Sequence, residues 1–163
     1  MKKKFLGVIS ILFLLSTAAT TVLAAPKDLK SNDNDPFQAT YRGIIHGDKG
    51  SQAPLTLALT QVNDQISGTV YLGRGLYIDA GRCGGGYLPA AIQSAEGEVN
   101  KYDPNLLEAS TAFKVSGFKV SIDLEGLLSS DGDLLETEAK IDLPWLCGRD
   151  PIINGTLYKQ QQS

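Results

Sequence analysis

Between residues 118 and 143 side chains alternate between apolar or small and polar or charged, and this two-residue period constrains the chain more than any other feature. Leu135, Thr137, Ala139, Ile141 and Leu143 alternate with Glu136, Glu138, Lys140 and Asp142, while Val120, Ile122, Leu124 and Gly126 alternate with Lys119, Ser121, Asp123 and Glu125. Successive side chains of a β-strand point to opposite faces, so each run buries one face and hydrates the other. Between the two runs lies Asp131-Gly132, a pair suited to the positive φ of a tight turn, and the segment reads as one antiparallel hairpin.

The same reading predicts further strands at about 37–46, 54–62, 65–72, 75–81, 90–99, 106–115 and 152–158. Asn63-Asp64, Gly73-Arg74 and Ser116-Gly117 separate consecutive runs by hairpin-length links, and residues 100–105 make a slightly longer turn. No stretch carries a capped 3.6-residue period, so almost no helix is expected. Short links exclude parallel crossovers, which leaves a single-domain, all-β antiparallel meander of eight or nine strands. Such a sheet closes into a small β-barrel or splits into a β-sandwich, and Gly43, Gly68, Gly97 and Gly126 inside strands favour the coiling of a barrel.

The N-terminus has a different grammar. Lys2, Lys3 and Lys4 precede an apolar run from Phe5 to Leu15, and Val22-Leu23-Ala24 before Ala25-Pro26 predicts a signal peptide over 1–24, cut after Ala24. The run is too short to span a bilayer of about 30 Å, and no later segment is apolar enough, so no integral membrane span is expected after cleavage. Residues 25–36, ending in "PKDLKSNDNDP", read as a disordered polar leader, residues 37–159 as the domain and 160–163 as a polar tail. Loss of the three signal-peptide lysines takes the formal charge from −3 to −6, with 12 basic against 18 acidic residues, a poor balance for nucleic acid.

Export implies an oxidising compartment, periplasmic or extracellular, where Cys83 and Cys147 are most simply each other's partner. Strand direction agrees. In a meander the fourth and eighth strands run the same way, so the connections after them, "RCGGGYLP" at 82–89 and "PWLCGRDP" at 144–151, emerge at one end. A bridge closing about 65 residues stabilises by roughly 4 kcal/mol in the chain-entropy description.

Those connections hold the candidate binding residues. Tyr87 and Trp145, the sole tryptophan, offer flat apolar area, and Arg82 and Arg149 offer forked donors for a carboxylate or phosphate. As a pure staple, the same stretch would use Trp145 to plug the barrel end, and Arg149 and Asp150 would pair locally or cap free backbone groups. Gly47-Asp48-Lys49-Gly50 reads as a plain turn, since it lacks a phosphate-loop pattern, and the lone His46 builds no metal site. No catalytic residue, metal or cofactor is assigned.

In size and architecture the chain resembles the calycin-like barrels, which include lipocalins, avidins and some periplasmic protease inhibitors. Its first strand reads "QATYRGII" without the Gly-x-Trp of lipocalins, so no residue role is carried over. The expected function is a noncatalytic binding protein of the bacterial cell envelope, taking a small ligand or an envelope protein, as an inhibitor does. The alternatives are a structural component of an extracellular assembly and a carboxylate-based hydrolase. A wide interior cavity would favour a small ligand, a filled barrel with an uncovered edge an assembly role, and two carboxyls about 5–9 Å apart in a cleft a hydrolase.

Overall fold

A computed structural model describes residues 35–115 and 118–161. The expected signal peptide, most of the leader, the Ser116-Gly117 link and the end of the tail lie outside these residues. Ten strands form: β1 (Ala39–His46), β2 (Gln52–Val62), β3 (Gln65–Leu72), β4 (Tyr77–Asp79), β5 (Gly85–Tyr87), β6 (Ala91–Val99), β7 (Leu106–Val115), β8 (Phe118–Leu128), β9 (Leu134–Asp142) and β10 (Ile152–Lys159). Eight of them close a barrel in the order β1, β10, β9, β8, β7, β6, β3, β2, with every neighbouring pair antiparallel. Closure by β1 against β10 decides for the barrel and against the sandwich.

The faces follow the two-residue period. Ile122, Leu124, Leu135, Ala139 and Ile141 are buried, whereas Glu136, Glu138 and Lys140 are exposed. Glycine is required where strands coil tightly: a Cβ at Gly43 would run into the Thr156 carbonyl oxygen, and one at Gly97 into that of Glu108. Side chains fill the barrel, leaving an apolar cavity of about 50 Å³ lined by residues such as Leu57, Val70, Ala95, Ala109, Leu124 and Ala139.

One strand is placed differently from the sequence reading. The segment expected at 75–81 does not enter the barrel. Gly73-Arg74 is the start of a long excursion instead of a hairpin link, and β3 pairs directly with β6. Within the excursion β4 and β5 form a separate two-stranded sheet. Leu76 and Leu88, which flank this small sheet, are buried in the core and close the barrel end that the excursion covers. The alternation in "LYIDA" is that of a strand, but Gly73 and Gly75, the latter at φ 115°, divert the chain before it can continue the ladder. The other end is closed by Phe37, which precedes β1 and is fully buried. Its N–H donates to Gln61 Oε1 at 3.0 Å.

The wall is not uniformly zipped. β6 and β7 pair only from Glu96–Ser110 to Val99–Leu107. Beyond that point the ladder is replaced by one bond, from Thr111 Oγ1 to the Ser94 carbonyl at 2.7 Å, while β7 and β8 continue to pair with each other up to Val115–Phe118.

Two measurements check this packing. Ile141→Ala should cost about 2–4 kcal/mol in denaturant unfolding, whereas Lys140→Ala, which loses only an exposed pair to Asp150 at 3.1 Å, should cost far less. Comparable losses would mean that the faces are exchanged. Burial, followed by the nearby Asp133 charge, pushes the Tyr41 hydroxyl up to about 12, and this hydroxyl donates to the Pro36 carbonyl at 3.2 Å. The unfolded phenol ionises near pH 10, so stability held below that pH is lost as pH rises toward 12. Tyr41→Phe should remove this part of the alkaline loss in melts between pH 9 and 12.

Candidate functional site

Alternate barrel strands run in opposite directions, so three connections among the described residues meet at one end: residues 47–51 after β1, 73–90 after β3 and 143–151 after β9. The expectation that both cysteines share an end holds, although for a different pair of strands, since β3 and β9 set the direction. Cys83 and Cys147 are bonded, with Cα atoms 4.9 Å apart and a sequence separation of 64. Each sits at the end of a single 3-10 turn, Gly81–Cys83 and Trp145–Cys147. Gly81 is confined twice, by φ 60° and by the Cys147 carbonyl oxygen, which lies 2.6 Å from where a Cβ would stand.

A polar network ties the third connection to the other two. Arg149 Nη2 donates to Asp48 Oδ1 at 2.7 Å, and Arg149 Nη1 lies 3.6 Å from Asp79 Oδ2. Asp48 Oδ2 accepts the Asp79 N–H at 2.7 Å, and Asp79 Oδ1 accepts that of Gly81 at 3.0 Å. Ser51 Oγ accepts the Tyr77 N–H at 2.8 Å and donates to the Tyr77 carbonyl at 3.2 Å. Lys49, at φ 57°, donates from Nζ to the Tyr77 hydroxyl at 2.9 Å and lies 4.2 Å from the centre of the ring. The hydrogen bond to that hydroxyl raises the Lys49 pKa above the usual lysine value. Tyr87 meets Tyr77 edge to face at 5.3 Å.

The four sequence-derived binding residues therefore share this end but divide by role. Trp145 is 91% exposed and Tyr87 71%, with Leu146 exposed beside the tryptophan. Arg82 is exposed and has no side-chain partner among the described residues. Arg149 is committed to Asp48 and Asp79.

Two details of the staple reading are corrected. Trp145 does not plug the barrel, because the three-residue turn after Pro144 directs Cys147 inward and leaves Trp145 and Leu146 outside, while Leu76 and Leu88 already fill that end. Arg149 does not pair with Asp150; Asp150 binds Lys140 at 3.1 Å and takes the capping alternative, accepting the Leu143 N–H at 3.3 Å. Those two bonds, that to Lys140 first, hold its carboxyl below the usual range. Asp48, Lys49, Ser51, Tyr77 and Asp79 escaped the sequence reading; with 75–81 counted as a barrel strand, the strand-direction argument puts 47–51 at the opposite end, and only the direct pairing of β3 with β6 brings it here.

The molecule is thus a small closed β-barrel with three connections locked together at one mouth. No protein-family model and no curated protein matches the chain. Among solved structures it is similar to EF1p2_mFAP2b bound to DFHBI, at 9% identity and TM-score 0.52 over 77% of this chain and 94% of that one. It is also similar to the redesigned β-barrel b11L5F_LGL, at 10% identity and TM-score 0.51 over 77% and 93%. At such identities the likeness is one of fold.

Asp48→Ala should speed hydrogen exchange at the Asp79 amide at least about tenfold, since that N–H loses its acceptor, and leave the amides of β2 and β9 unchanged. Unaltered exchange at Asp79 would show that the network does not hold the loops.

Proposed function

We propose that this is an exported, noncatalytic binding protein of the bacterial cell envelope, periplasmic or secreted, that engages a protein partner through the stapled end. The observation that carries the reading is Trp145, almost fully exposed on a connection fixed by a disulfide and by Arg149. Holding a large aromatic in water is unfavourable, and fixing its backbone beforehand lowers the entropy lost on binding. Tyr87 adds a second exposed ring, and Arg82 a free guanidinium. Aromatic and arginine side chains dominate binding energy at protein interfaces.

The lysine-headed leader and the disulfide support export. The interior supports a surface site over an enclosed one: its cavity of about 50 Å³ is well below the roughly 300 Å³ of ordinary small-ligand pockets. A barrel of similar fold is bound to DFHBI, which favours a binding role for the architecture while leaving the ligand of this chain open.

Capture from envelope extract on the immobilised protein tests the reading. Trp145→Ala and Tyr87→Ala should each weaken capture of a specific partner at least about tenfold without lowering thermal stability, while Tyr102→Ala, equally exposed at the opposite end, should not. Equal loss from Tyr102→Ala, or none from the stapled end, would overturn it.

A further inference from the structure

A second feature lies on the barrel wall, away from the stapled end. Gly43, Thr137 and Gly155 face inward, so the floor of an open groove of about 780 Å³ at these positions is backbone. Its apolar walls are Ile44 and Tyr158 on one side and Leu106 and Leu127 on the other, and Glu125, Glu136 and Glu138 stand between them. Register makes this arrangement definite. Ile44, Thr156, Glu136, Leu127 and Leu106 form one row across five adjacent strands, and Glu138, Glu125, Glu108 and Glu98 stand opposite one another in the next. Like charges directly opposite on neighbouring strands are destabilising, so this row works against the fold. Glu125, Glu136 and Glu138 have no ion-pair partner among the described residues, although Arg42 and Lys140 occupy the same wall.

We propose that this groove binds a cationic segment of polypeptide whose lysine or arginine side chains meet Glu125, Glu136 and Glu138 and whose flanking apolar side chains cover Ile44, Leu127 and Tyr158. Charge complementarity fixes the sign of the occupant, and the apolar walls distinguish a peptide from a bare polyamine. An anionic lipid surface is repelled by the same carboxylates.

The probe is a seven-residue peptide of alternating lysine and leucine with blocked ends, followed by calorimetry on the full chain at low and high salt. Binding should weaken at least about tenfold in the variant E125Q/E136Q/E138Q, whose melting temperature should not fall, because repulsion between strands is relieved. Leu127→Ser should weaken binding at both salt concentrations. Three outcomes each overturn the proposal: equal weakening by E96Q/D103N/D131N, which removes three charges outside the groove and would reduce the effect to net charge; equally tight binding of spermidine; or binding of the glutamate–leucine counterpart of the peptide.

Discussion

Closure of β10 on β1 is the interaction on which the other features depend. An open eight-stranded sheet would leave two unpaired edges and half its core facing water; six residue pairs from Tyr41–Lys159 to His46–Asn154 remove both problems. Antiparallel pairing at this seam, as at every other, alternates strand direction all the way around the ring. That alternation, more than any local signal, gathers the connections after β1, β3 and β9 at one mouth, and without it neither the disulfide nor the Arg149 network could form.

The fold was legible in the sequence because period-two patterning and short links leave few topologies. The hairpin of β8 and β9 appears in the structure with the faces that its alternation implies, since each charge in it can reach water only from one side. The segment around Tyr77 misled for the same reason: its local pattern is a strand's, and the structure makes it one, but membership of the barrel depends on whether the chain re-enters the ladder. Gly73 and Gly75 decide that through backbone conformation, which hydrophobic periodicity does not record.

The candidate site was legible in part. The cysteines could be paired from the expected compartment and from strand direction, and the aromatic residues beside them stand out by composition. The partners of Arg149 could not be read in this way, because Asp48 is 101 positions away and occupies what looks like an ordinary turn. Long-range ion pairs leave no periodic trace. The exposure of Trp145 was equally hidden, since a tryptophan near a barrel mouth serves as well for a plug as for a contact surface until Leu76 and Leu88 are known to fill the space.

The bond between Cys83 and Cys147 also divides the molecule mechanically. β6, β7, β8 and β9 lie inside a covalent ring, and β1, β2, β3 and β10 lie outside it. β1 begins and β10 finishes at the same end of the barrel, so tension applied to the two ends of the chain peels their ladder one pair at a time. Once that seam parts, the load passes along the outer strands and across the sulfur bridge, bypassing the ring closed between Cys83 and Cys147 and the weakly zipped junction of β6 and β7 within it. The bridge thereby withholds about 220 Å of contour length from extension. Under load the oxidised protein is a short elastic element with a shielded half, and reduction would lengthen it.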